Sequence, residues 1–458
     1  MKRIYPIAIC FSLVGMTACS DDDDNAVIEP VVQNAQVRVI HAGSDAPMVN
    51  VSADGTEILT GVDYAMSSGL LEVTSASYNI DVDAILADGT TATVLNTTLM
   101  AEADMEYTAI ALGKVADESL ALKLVTNPVA DIAAGYARVQ VLHATPSVEL
   151  VDVYVTAPGD DIAAASPTLS ANYMDVSTQL EVPAGDYQVR ITASGMKDVV
   201  YDSGTLSLAD MTDYFISAIP NTWTGDSPVA LHVALPDAEV IVNDINSGSD
   251  IRVVHAVADA PAVDVFLDDA TDPAVDMLSF ASATGYLNVP EGDHTVTVAA
   301  DADNSVVVID AEPVSLMLGK SYSAFAVGSL TDDAIEPLVL DEQTRRVATE
   351  AKLSVVHSAY SAPEVDVYLT ETADISNATP ALTNVAFKVS SGSLSITPGT
   401  YNISVTVAGT KTVAIGPLEV TLDANGIYGV AAVDNETGGA PFGVILLDSC
   451  QTQFWSSS

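Results

Sequence analysis

Basic residues are scarce. The chain of 458 residues carries 15 Lys and Arg against 62 Asp and Glu, a formal net charge of −47. Such a surface repels phosphate backbones and anionic headgroups, which excludes nucleic acid as a partner. Aromatics make up only 6%, too few for the two aromatic girdles of an outer-membrane β-barrel. There are two tryptophans and three cysteines, with no paired Cys or His at structural-metal spacing. No Gly-x-Ser-x-Gly elbow, phosphate loop or dinucleotide fingerprint occurs, and no convincing helical periodicity. The apolar fraction of 49% nevertheless excludes a disordered acidic chain, and the length predicts several domains.

The start reads as an address. Lys2 and Arg3 precede an apolar stretch, Ile4 to Gly15, too short to span a bilayer comfortably. Met16-Thr17-Ala18-Cys19 then resembles a bacterial lipobox, with Met16 where Leu is usual. That resemblance implies a signal peptide over 1–18, cleavage before Cys19, and acylation of Cys19 as an outer-membrane anchor. Several acyl chains on one residue hold a membrane stably. Asp21 to Asp24 open an acidic tether that completes 19–35. Cys10 leaves with the signal and Cys19 is lipidated, so Cys450 has no internal disulfide partner and stability must come from packing.

Four segments repeat one phrase: Val37–Ala42, Val139–Ala144, Ile251–Ala256 and Leu353–Ser358, each with a histidine (His41, His143, His255, His357). Nine residues after each histidine stands Asn50, Asp152, Asp264 or Asp366, flanked by valines. A turn ending at Tyr78, Tyr187, His294 or Tyr401 follows, then a strand opening at Tyr107, Tyr214, Tyr322 or Tyr428. Alternate repeats resemble each other most. A basic residue stands three before the histidine in repeats one and three (Arg38, Arg252) and five before in two and four (Arg138, Lys352). A duplicated two-domain unit explains this alternation and predicts that the pair is also a packing unit.

Each repeat shows period-2 runs broken by Gly, Pro, Asp and Asn. Repeat one offers seven strands, near 36–42, 49–54, 66–73, 77–86, 92–101, 106–113 and 120–126, the size and count of an immunoglobulin-like β-sandwich. The turn followed by tyrosine predicts a tyrosine corner. The expected fold class is all-β: four tandem immunoglobulin-like sandwiches over 36–130, 135–240, 250–343 and 350–449, then a tail over 450–458. Linkers are expected near Asn127–Gly135, Pro236–Asp250 and Asp341–Glu350.

The phrase His-Ala-x-x-x-Ala-Pro-x-Val-Asp-Val, clearest at His255–Val265, resembles the start of the bacterial domain-of-unknown-function 4397 family. The resemblance covers about 35 to 448. It implies an exported, tandemly repeated protein and supplies no activity. Repeat one departs with Asn50 for Asp, and repeat two lacks the Ala-Pro at its usual place.

Strand parity puts His41 on the face of Val37 and Val39, so the histidines are expected as buried imidazoles capped by a backbone carbonyl. The aspartates are expected as solvated strand carboxylates. Asp268-Asp269 and Asp301-Ala302-Asp303 offer at most weak calcium binding, since neither resembles an EF-hand loop. Trp223, in the loop from Pro220 to Pro228, is the candidate ligand-contact residue. The reading is a non-enzymatic rod on the outer membrane, an adhesion module for a surface glycan or protein. A periplasmic spacer without ligand is the alternative, and a polysaccharide-acting enzyme the weakest.

Overall fold

A computed structural model describes residues 33–448 and 452–456. The signal peptide, Cys19, nearly all of the acidic tether and Cys450 lie outside the described residues. Within them there is no helix, and four β-sandwiches follow one another.

Repeat one has eight strands: β1 (Asn34–His41), β2 (Val49–Ala53), β3 (Thr56–Val62), β4 (Leu71–Thr74), β5 (Ala76–Ile85), β6 (Thr91–Ala101), β7 (Met105–Leu112) and β8 (Ala121–Pro128). They form two sheets, ordered β4-β1-β7-β8 and β3-β2-β5-β6. The strand absent from the sequence expectation is β3. Its signal was Asp54-Gly55, whose φ values of 48° and 75° make the tight turn joining β2 to β3.

The layered architecture is the expected one, but the immunoglobulin connectivity is not. In that fold the first two strands are neighbours in one sheet. Here β1 lies between β4 and β7, parallel to β7, while β2 belongs to the opposite sheet. Strand count alone could not separate the two topologies.

The other repeats follow the same plan. Repeats two and four add a fifth strand to the sheet containing the first strand, Glu239–Val242 and Thr452–Ser456. The first falls in the expected linker and the second in the expected tail, so both of those boundaries move outward.

Both faces of β1 are buried, and this sets the higher architecture. Ala35, Val37 and Val39 face the sandwich interior, whereas Arg38 and Ile40 face another repeat. Ile40, Ile110 and Leu112 form one apolar cluster with Leu142, Phe215 and Ile219 of repeat two. Val254, Phe325 and Val327 of repeat three do the same with Val356, Val433 and Ile445 of repeat four. Each pair is thus joined sheet to sheet, as the duplication predicted.

The pairs do not make a simple rod. Residues 344–348, within the segment expected as the last linker, touch three repeats. Thr344 Oγ1 donates to Thr222 O (3.1 Å), and Ala348 N donates to Asp45 O (2.8 Å). Arg345 donates to Ala46 O (2.8 Å) and pairs with Asp63, and Arg346 donates to Asn425 O (2.7 Å). A polar, breaker-rich stretch predicts a loop, but it does not reveal what that loop will pack against.

Candidate functional site

The repeated histidines form one motif built four times. Each is buried at the end of the strand equivalent to β1. His41 Nε2 lies 3.0 Å from Pro47 O, His143 3.2 Å from Glu149 O, His255 3.0 Å from Pro261 O and His357 3.0 Å from Pro363 O. A carbonyl only accepts, so Nε2 carries the proton in all four. Thr145 N and Val257 N donate to the Nδ1 atoms of His143 and His255. Burial pushes the imidazoles of His41, His143 and His255 below their ordinary pKa. All four are structural groups that tie the strand end to the following loop, as parity suggested.

The sequence reading missed their aromatic partners. Tyr64, Tyr173, Phe280 and Phe387 meet the imidazoles edge-on, with centroids 6.2–6.5 Å apart and interplanar angles of 80–86°. Each is followed by a residue of positive φ (Ala65, Met174, Ala281, Lys388) whose N–H donates to the histidine's own carbonyl at 2.7–2.9 Å. Unequal loop lengths hid this alignment: the spacing from histidine is 30 in both even repeats, but 23 and 25 in the odd ones.

The aspartates correct the expectation. Asp152, Asp264 and Asp366 are 4%, 4% and 5% exposed, not solvated. Asp264 Oδ1 accepts from Met277 N and Asp366 Oδ1 from Asn384 N, both at 2.9 Å. Both donors sit at positive φ (52° and 53°), at a register shift in the strand equivalent to β3. Asn50 Oδ1 accepts from Gly61 N (2.9 Å, φ 61°) in the same way. The carboxylate therefore caps a β-bulge, and an amide oxygen serves equally, which explains Asn50. In repeat two, where this pairing is regular, Asp152 accepts instead from Ser170 Oγ (2.5 Å) and Gly195 N (2.7 Å), which hold its carboxyl below the usual range.

Asp264, Asp276 and Asp301 each place a carboxylate oxygen within 4.8 Å of the others. Among the described residues, this is the group that could hold a divalent cation. The sequence had named Asp264 and Asp301 separately, and Asp276 was missed.

The basic residues that alternate between repeats sit in the inter-repeat contacts. Arg38 is fully buried, with none of its three guanidinium nitrogens hydrogen-bonded by the protein. Burial lowers its pKa against the opposing fields of Glu106 and Asp213. The same burial holds both carboxyls above their usual range. On the repeat-two side of the contact Arg138 pairs with Asp213 of its own sheet (3.3 Å), and His232 is pushed down to about 4, by burial first and Arg38 second. In the second pair Arg252 bonds Ser323 Oγ (2.6 Å) and Glu342 (2.9 Å).

Trp223 is half-buried in the contact between repeats one and two. Its ring lies 5.9 Å from that of Tyr64, whose hydroxyl donates to Pro220 O. It packs on the neighbouring repeat rather than projecting from its loop.

Among solved structures, the chain is similar to CBMbc (family CBM26) from Eubacterium rectale Amy13K, in complex with maltoheptaose, at 11% identity and a TM-score of 0.14. That match covers 47% of this chain and 99% of the other. It is also similar to the Bacillus anthracis TIE protein, at 10% identity and a TM-score of 0.13, over 88% of this chain and 68% of that one. Superpositions this loose do not bear on fold or ligand. No curated protein matches. The sequence itself is more specific: the profile described as Domain of unknown function (DUF4397) matches residues 35–154 and 249–368, offset by the same 214 residues that separate His41 from His255, and the chain belongs to that family.

Proposed function

We propose that this is a lipid-anchored protein of the outer membrane that works as a non-enzymatic binding or adhesion module for a surface glycan or protein. The observation that carries the reading is that the recurring polar residues are taken up by internal bonds, the histidine–carbonyl bond in all four repeats. Every repeated histidine is bound to a carbonyl, and every Val-Asp-Val aspartate to a backbone N–H. The recurring polar residues therefore maintain a scaffold, and recognition falls to what differs between repeats: the loops and the inter-repeat contacts. Anchorage rests on Met16-Thr17-Ala18-Cys19. A periplasmic spacer is the less favoured alternative, because reach calls for an extended chain and Arg345 folds the last linker back onto repeat one.

Protease shaving of intact cells tests this. Release of the four-domain fragment supports surface exposure, and protection until the outer membrane is broken refutes it. Cys19→Ser should move the protein to soluble fractions, and unchanged membrane association would remove the anchor from the proposal.

A further inference from the structure

The duplicated pair provides its own control, because equivalent positions can be compared between the two inter-repeat contacts. Register fixes the equivalence: Arg138 pairs with Asp213 and Gln140 with Phe215 in repeat two, as Lys352 pairs with Ile427 and Ser354 with Gly429 in repeat four. In the first pair these positions help seal the contact, with Phe215 1% and Gln140 5% exposed. In the second, Ser354 and Gly429 take their places, and a cleft of about 200 Å³ lies between repeats three and four.

The walls of that cleft are chemically mixed. Arg252, whose counterpart Arg38 is sealed away, borders it, and Ser323 and Glu342 occupy two of its five N–H groups. The Tyr286 ring packs 5.2 Å from the Arg252 guanidinium. Burial pushes the Tyr286 hydroxyl up to about 12, so it is a neutral donor at physiological pH. Gln343, Thr344 and Arg346 border the cleft from the linker. Ile427, Tyr428 and Leu447 supply the apolar side.

We propose that this cleft is a binding site for a single neutral hydroxylated ring, the sugar unit of a glycan. It rests on the binding-module reading above and deepens it by naming the site. The void is smaller than a drug-sized pocket and suits one ring rather than a chain. Guanidinium and amide donors beside a carboxylate acceptor match hydroxyl groups, which both donate and accept, and the tyrosine rings match the apolar face of a pyranose. The net charge of −47 disfavours polyanions, and a single lining carboxylate, Glu342, does not make a metal site.

The test uses the full chain on an array of neutral glucans, mannans, galactans and xylans beside uronate-bearing polymers. Calorimetry with the monosaccharide of whichever neutral polymer binds then follows. Ser354→Phe, which restores bulk to the cleft, should weaken binding roughly tenfold or more. Ser354→Gln, the side chain repeat two uses, should act likewise and covers the case in which the larger substitution disturbs folding. Trp223→Ala should leave affinity unchanged. Sugar binding that survives both Ser354 substitutions in folded protein overturns this site while the binding-module reading stands. Capture of uronate polymers alone overturns the neutral class. A blank array overturns the sugar assignment and leaves only a protein ligand to the broader reading.

Discussion

Arg345 and Asp63 form an ion pair across 282 residues of sequence, closing the linker before repeat four onto repeat one. The same guanidinium donates to Ala46 O and sits 5.7 Å from the Tyr64 ring, itself packed on Trp223. One side chain thus touches the apolar cluster that joins the first pair and belongs to the segment that opens the last repeat.

Arg345→Ala should therefore loosen the two pairs from each other while leaving each pair intact. Charged hydrogen bonds to carbonyls contribute about 2 kcal/mol each, and the half-exposed Asp63 adds less. Limited proteolysis should show faster cleavage within residues 341–350, and Arg345→Lys should restore little because the fork is lost. Cleavage no faster than in the parent chain would show that the pairs are held together elsewhere.

The first-pair contact has a pH dependence whose sign follows from burial. The folded pKa of His232 lies near 4, below its ordinary value of 6.5, so the unfolded chain binds the proton more readily. Its contribution is fully present above about pH 6.5 and declines as the pH falls toward 4, by about 3 kcal/mol in all. Glu106 and Asp213 have raised folded values and act in the opposite direction, favouring the fold as acid is added. Hydrogen exchange on Asp213–Pro220 at pH 7 and pH 5 should show faster opening at the lower pH. His232→Leu should flatten that difference, and an equal acid response in the variant would assign the titration to another group.

The bulge caps can be separated from charge. Asp366→Ala removes the acceptor for both Asn384 N and Gly409 N and should cost about 2–3 kcal/mol. Asp366→Asn retains one acceptor oxygen and should fall between the alanine variant and the parent. Asn50→Asp keeps the Gly61 bond and should change stability by less than about 1 kcal/mol. Thermal unfolding of the three variants gives the order directly. A loss for Asn50→Asp as large as for Asp366→Ala would mean that charge, not acceptance, is what matters.

What was legible in the sequence was what is periodic. The repeats, the duplicated pair, the side of the strand on which His41 lies and the tyrosine corners all follow from spacing and parity. The alternation of Arg38 and Arg252 with Arg138 and Lys352 was visible too, but not its meaning. Only the structure shows these cations turned into the contacts between repeats. The aspartates were misjudged because alternation assigns a face without saying whether water reaches it. Asp152 and Asp366 point away from the valines beside them and are still enclosed by the adjoining strands. Topology was hidden for a related reason: the placement of β1 beside β7 depends on contacts some 70 residues apart, and no local pattern encodes them.

The tyrosine corners yield a last test in which the repeats check one another. The hydroxyls of Tyr78, Tyr187 and Tyr401 donate to the carbonyl four residues upstream, Thr74, Pro183 and Thr397, at 2.7–2.8 Å. In repeat three His294 Nε2 makes the equivalent contact with Pro290 O at 2.9 Å, while its Nδ1 lies 2.6 Å from Asp268. That carboxylate raises the histidine's pKa, so the corner is strongest below the ordinary value near 6.5 and weakens as the pH rises through the folded value. Asp268 is half-exposed, so solvent screens the pair and the effect is confined to the turn. Hydrogen exchange in Pro290–Thr295 should quicken between pH 6 and pH 8, beyond the intrinsic base dependence measured at the Tyr187 and Tyr401 corners. His294→Tyr should hold the turn closed at both pH values. Tyr187→Phe should open its own corner by about 1 kcal/mol at either pH. If the His294 turn tracked the two tyrosine corners at every pH, the Asp268 pairing would have no role in holding it.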